Sequence, residues 1–227
     1  MAKTIPLPSH EVRWFFEGKA EQHEALKRWF KTTSSIQKSE GVGLPEWKGR
    51  LGDQPDVYLL VPGNDDIGIK WREGELQIKG LVSSLGTQVF CGRHQGKVER
   101  WIKWSYKNIP DSYKRLFGEG KETGLVTASV RKTRALRKVR LDTLTGKAEE
   151  VDAKTFVDRG LGFELTDLEV GGKAYCSLAF EAFPNDSAMD AAFTEAVEAF
   201  IGELKTFDLT ATKSQSYPAF LSSTVGV

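Results

Sequence analysis

Charged or strongly polar side chains recur at every second position in several stretches of this chain. Glu11 and Arg13, Lys70 and Arg72, Gln77 and Lys79, and Lys132 and Arg134 are each two residues apart, and Glu164 and Glu181 lie in two later stretches. In a β-strand such neighbours share a face, so each pair would present its polar groups to one side. The opposite faces carry Val12 and Trp14, Ile69 and Trp71, and Leu76 and Ile78. Arg offers planar forks to phosphate oxygens and Lys offers point charge. A corridor lined by these faces therefore suits a tri- or polyphosphate, whose charge is spread along several oxygens. Two arrangements satisfy the pattern. In one, the charged faces meet solvent and the apolar faces fill an ordinary barrel or sandwich. In the other, the charged faces line a tunnel and the apolar faces meet flanking helices. A dry cluster of Lys and Arg with few acidic neighbours is costly, so such a tunnel would hold water or counter-ions until an anion arrives.

The elements that must position these residues can be read along the chain. Glu11–Glu17 mixes aromatic, β-branched and charged residues and reads as a strand. Ala20–Lys31 reads as a helix with Leu26, Trp29 and Phe30 on one face. The stretch 34–55, rich in Ser, Gly and Pro, reads as a long loop. Strands are expected at Asp56–Val61, Ile67–Arg72, Glu75–Val82, Thr87–Cys91 and Val98–Tyr106. A short helix and loop over Asn108–Gly120 then precede the strongly basic stretch Val126–Leu141. Gly162–Val170 and Lys173–Phe183 follow as strands joined by Gly171-Gly172, a favoured hairpin pair. Asp186–Leu204 is the clearest helix: Ser187 with Asp190 forms its expected cap, and Met189, Phe193, Val197, Phe200, Ile201 and Leu204 form its apolar stripe. Two helices with aromatic stripes need an apolar surface, and the outside of a barrel supplies one. The expected fold is α+β, a closed antiparallel β-barrel with flanking helices, in a single domain over residues 1–227.

Composition narrows the function classes. Lys+Arg 32 against Asp+Glu 31 leaves no global field for nucleic acid or an anionic membrane. The six basic residues between Arg131 and Arg140 and the six Trp could suit single-stranded RNA, but the tryptophans have core-like spacing, so nucleic acid is not the expected partner. The amino terminus lacks the pattern of a signal peptide, and no run approaches the ~20 apolar residues of a membrane helix. With only Cys91 and Cys176, reduced thiols and a cytoplasmic location are the simpler reading. Cys91 and His94 have metal-like spacing but cannot complete a tetrahedral zinc site alone. There is no P-loop, and His10, His23 and His94 lack the local signature of a nucleophile system.

Beyond these physical readings, the chain resembles the CYTH superfamily, the triphosphate tunnel metalloenzymes. The matching pieces are HEVRWFF, DVYLLVPGNDDIGIKWREG, LQIKGL, VRKTR, GFELTDLEV, CSLAFEAF and the closing KSQSYPAFL, in the family's order over most of the chain. The resemblance implies an eight-stranded antiparallel tunnel that binds a small phosphorylated anion: a triphosphate, nucleotide or polyphosphate. Lys70, Arg72, Lys79, Lys132 and Arg134 match the basic residues that grip phosphates, and Arg13 shares the face of Glu11. Glu11, Glu164 and Glu181 match the carboxylates that would hold Mg²⁺ or Mn²⁺. The chain departs from the signature Glu-x-Glu-x-Lys: Arg13 stands at the second glutamate and Phe15 at the lysine. Guanidinium in place of a hard oxygen ligand weakens divalent-cation binding. The expected function is therefore phosphate-anion binding with weak or no hydrolysis, the alternative being a divalent-metal-dependent triphosphatase.

Overall fold

A computed structural model describes residues 6–34, 36–48, 55–117, 125–142, 145, 147–205 and 207–227. Residues 1–5, the GDQ of the Gly- and Pro-rich stretch at 52–54, and the GEGKE turn at 118–122 lie outside the described residues.

The alternating stretches form ten strands: β1 (Leu7–Glu17), β2 (Gln37–Lys38), β3 (Asp56–Leu60), β4 (Ile67–Arg72), β5 (Glu75–Phe90), β6 (His94–Tyr106), β7 (Val126–Asp142), β8 (Lys147–Val151), β9 (Gly160–Val170) and β10 (Lys173–Phe183). Eight of them close a barrel in the order β7-β3-β4-β5-β6-β1-β10-β9, with β9 returning to β7 and every pairing antiparallel. The other two hang from β7: β8 pairs with its last five residues, and β2 runs parallel to β8. The α-helices are α1 (Glu24–Thr32), the one-turn α2 (Asp111–Lys114), α3 (Ser187–Ile201) and α4 (Tyr217–Val225). Among the described residues no helix is long and apolar enough to cross a membrane.

The barrel is turned with its greasy side outward. Val12, Trp14 and Phe16 of β1 pack with Phe163, Phe180 and Phe90 and with Leu26, Trp29 and Phe30 of α1 and Met189, Phe193, Val197 and Phe200 of α3. Each such side chain contributes roughly 1.5–3 kcal/mol on burial, so the two helices fix which face of β1, β9 and β10 points away from the lumen. Because the strand period is two, that choice sends Glu11, Arg13, Glu164 and Glu181 inward.

At one end the lumen itself is apolar. Inward-facing Phe15, Tyr58, Leu60, Val130, Leu168 and Val170 surround Phe220 and Leu221 of α4, which enters the barrel as a stopper. Phe15 stacks on Phe220 with centroids 3.9 Å apart. This contact gives the aromatic residue at position 15 its place in the stopper's seat. Ser216 caps α4, its hydroxyl accepting from the Ala219 amide, and Gly226 ends it in the left-handed region at φ 83°.

Several boundaries differ from the sequence reading. Glu75–Val82 and Thr87–Cys91 are one strand; register shifts at Leu81/Ser83 and Ser84/Thr87 interrupt its alternation. The turn into β6 is a tight one in which Cys91 and Gly92 both have positive φ, 48° and 69°, so β6 starts at His94. The α3 cap is Asp186, one residue earlier than expected: its carboxylate accepts from the Met189 amide at 3.0 Å and is gripped by Arg159.

Candidate functional site

The inward charged faces enclose a cavity of about 830 Å³. All nine residues singled out from the sequence line it: Glu11, Arg13, Lys70, Arg72, Lys79, Lys132, Arg134, Glu164 and Glu181. Adjacent strands bring them together. Lys70 sits opposite Tyr58 and Gln77, and Glu11 sits opposite Glu181 on one side and Glu99 on the other.

The expectation of few acidic neighbours does not hold. Asp56, fully buried at the start of β3, is a hub for three cations. Arg72 donates to both of its oxygens, at 3.0 and 2.7 Å, Lys132 lies 3.2 Å away and Lys70 3.7 Å away. Burial alone would raise the Asp56 pKa, but Lys132, Arg72 and Lys70 hold it far below the ordinary carboxylate range. Three basic side chains share this one carboxylate, which offsets only part of their charge. Burial, reinforced by Lys132 and Arg72, presses the Lys70 ammonium well below its ordinary pKa. That is the signature of a cationic site short of counter-charge.

Two further ion-pair groups complete the interior. Arg13 donates to Glu164 at 2.8 Å and to the Ser177 hydroxyl at 3.1 Å, while Arg134 approaches Glu164 at 3.5 Å. Burial works to raise the Glu164 pKa, and Arg13 and Arg134 reverse this to about 2. On the other side, Lys79 contacts Glu11 directly and lies 3.7 Å from Glu181. The Glu11 carboxyl is pushed up by burial, with repulsion from Glu181 adding to it, whereas Lys79 holds that of Glu181 down.

Aromatic residues that the sequence reading did not name as site residues also line the site. Tyr217, at the start of α4, lies under Lys132 at 3.8 Å and Arg13 at 4.7 Å from its ring centroid. Tyr58 accepts a hydrogen bond from Lys132 at 2.7 Å. Burial lifts both phenols to about 12, so both stay protonated. The signal for Tyr217 lay in the closing KSQSYPAFL segment, and for Asp56 and Tyr58 in the alternation of DVYLL with Lys70 and Arg72 across one hairpin.

The carboxylates Glu11, Glu164 and Glu181 do not fit a divalent-cation site. Glu164 is held by two guanidinium groups, and the Lys79 ammonium already bridges the other two. Among the described residues no group of three His, Cys, Asp or Glu side chains is placed to hold a metal ion. Arg13, donating to Glu164 at 2.8 Å, occupies one of the three carboxylates.

No protein-family model matches the chain, and no curated protein matches it. Two solved structures that do resemble it are a conserved hypothetical protein from Pyrococcus furiosus and the S. pombe Pct1 RNA triphosphatase in complex with the Spt5 CTD. The first is 14% identical over 92% of this chain and 98% of that one, with a TM-score of 0.38. The second is 10% identical over 88% of this chain and 83% of that one, with a TM-score of 0.39.

Proposed function

We propose that the tunnel binds a phosphate-rich anion, a triphosphate, nucleotide or polyphosphate, with weak or no hydrolysis. The observation that carries this reading is the convergence of Lys70, Arg72 and Lys132 on the single carboxylate of Asp56 at the wall of an enclosed cavity. An anion entering there finds a fork and two ammonium groups whose charge Asp56 only partly offsets, in surroundings where charge interactions exceed those in bulk water. Lys79, Arg134 and Arg13 extend the cationic surface from that wall. Each already touches a carboxylate, so each can turn toward a phosphate without ever being left unpaired in a dry site.

The reading agrees with what the CYTH resemblance implies for the basic residues and parts from it at the metal. Hydrolysis assisted by Mg²⁺ or Mn²⁺ would require Glu11, Glu164 and Glu181 to leave Lys79, Arg13 and Arg134. The observed pairings favour binding over turnover.

A melting-temperature assay tests the proposal, because a ligand of the native state stabilises by mass action. Tripolyphosphate in metal-free buffer should raise the melting temperature by several degrees. Lys70→Ala combined with Arg134→Ala should abolish that rise while the variant keeps its cooperative transition. An undiminished rise in the double variant would refute the site, and a rise that requires Mg²⁺ would favour the metal-dependent alternative.

A further inference from the structure

A barrel with charge inside carries its apolar side chains outside, and α1 and α3 cover that outside only around β1, β9 and β10. On β3, β4, β5 and β6 the lumen takes Tyr58, Lys70, Gln77 and Lys103, so the residues between them face outward. Leu59, Ile69, Ile78 and Trp104 stand side by side in one cross-strand row. Val57, Trp71, Leu76 and Tyr106 form the next, and in a third Ile67 and Ile102 flank Gly80. No charged side chain stands in these rows. None of their ten apolar side chains belongs to the clusters that α1, α3 and α4 complete. Among the described residues the one ring that meets the wall from outside is Phe117, 5.9 Å from Trp71. Ile67 is 39% and Tyr106 37% exposed, and the other eight are half-buried. The stretches 1–5, 49–54 and 118–124 hold only Met1, Ala2, Ile5 and Leu51 as apolar side chains, too few to cover such a wall.

At standard strand spacing and rise the wall is about 19 Å wide and about 20 Å long, about 400 Å² in projection. An open apolar area of this size marks an interaction face. It matches the apolar centre of an interface that buries about 800 Å² per partner, a polar rim supplying the rest. The charge pattern selects the partner. With no charge of its own, the wall meets a copy of itself without setting like charges together, and it offers an anionic membrane no basic residue. The rim agrees: exposed Asp65 and Asp66 lie at the start of β4, whereas at the other end Lys107 is paired with Glu75 at 3.2 Å. A two-fold axis running across the strands sets the acidic end of each copy against the neutralised end of the other. Pairing through the free edge of β5 beyond Gly80 is the competing geometry, and two register shifts with Gly86 at φ 76° interrupt the ladder it would need. We infer that the chain forms a homodimer in which the outer walls of β3 to β6 pack face to face, burying Trp71 and Trp104 and leaving both lumens free. This holds whatever the tunnel binds.

Sedimentation velocity across a dilution series from about 100 to about 0.1 μM tests this, spanning the affinities of ordinary dimers. The concentrated protein should approach twice the 25.3 kDa of the chain. Dilution should shift tryptophan emission to the red as Trp71 and Trp104 return to water, and Trp71→Phe with Trp104→Phe should abolish that shift while the dimer persists. Ile67→Glu puts an unpaired charge in each half of the interface and should weaken association about a hundredfold. Its position is already exposed, and a melting temperature equal to that of the dilute native chain reports that the variant is folded. Phe156→Glu, at an 83% exposed position outside the wall, should leave association unchanged. A native chain that stays at the monomer mass throughout would overturn the inference, and its floating with phosphatidylcholine vesicles would give the wall to lipid instead. A dimer that Ile67→Glu leaves intact, or a red shift that survives the double Phe variant, would overturn the wall as its interface.

Discussion

Asp56→Asn removes one negative charge from the centre of the basic wall and changes almost nothing in size. In the native protein this carboxylate accepts both Arg72 bonds, at 3.0 and 2.7 Å, and lies 3.2 Å from Lys132. Removing one partner of a buried ion pair costs about 3–5 kcal/mol, and here three cations lose their shared counter-charge at once. The same change should strengthen anion binding. An anion about 5 Å from the carboxylate is repelled by about 3 kcal/mol per unit charge at an effective dielectric constant near 20, and Asn lifts that repulsion. Urea unfolding with and without tripolyphosphate measures both effects. The variant should be less stable than the native chain in plain buffer, and saturating tripolyphosphate should return most of the loss, a larger gain than the native protein shows. An equal ligand-induced gain in both proteins, or a variant as stable as the native chain without ligand, would refute the view of Asp56 as an internal counter-ion that competes with the ligand.

Two pH predictions follow from the same interior. Burial, with Lys132 and Arg72, depresses the Lys70 pKa in the free site, and a bound anion raises it. Binding should therefore take up protons wherever the free site holds Lys70 neutral, and affinity should fall as pH rises through that region; calorimetry in buffers of different ionisation heat, repeated in steps of pH up to the ordinary lysine range, reads the uptake, and heats independent of buffer at every pH would contradict it. Glu164 has the opposite sign: its folded pKa, about 2, lies below its ordinary 4.5, so its contribution to stability is complete above 4.5 and is lost as pH falls toward 2. Glu164→Gln should flatten the acid side of the stability profile in that window, and an unchanged slope would show that the Arg13 pair does not control it.

What the sequence disclosed, and what it hid, follows from how far each property reaches. The strands Ile67–Arg72 and Lys173–Phe183 were legible to the residue, because alternation and turn residues bound them locally. β2 and β8 escaped notice because they are short and polar, and lie outside the barrel, with β8 on the end of β7 and β2 on β8. β5 read as two strands because its irregular middle breaks the period of two. The nine charged residues were legible as faces, since a face is a property of one strand. Their partners were not: the Arg13–Glu164 pair spans 151 positions, and nothing near either residue announces the other. Asp56 was hidden for a related reason, since at the first position of a strand an Asp reads as a turn residue. Tyr217 reads equally as part of an apolar helix, and only the seating of α4 in the barrel end puts it under Lys132.

A crystal of the unmodified protein soaked with tripolyphosphate in metal-free buffer tests the central claim most directly. The account predicts a phosphate group within hydrogen-bonding distance of Lys70, Arg72 and Lys132, with the rest of the chain leading toward Arg134. Phosphate bound only on the outer surface, or a tunnel that stays empty at concentrations saturating in solution, would contradict it.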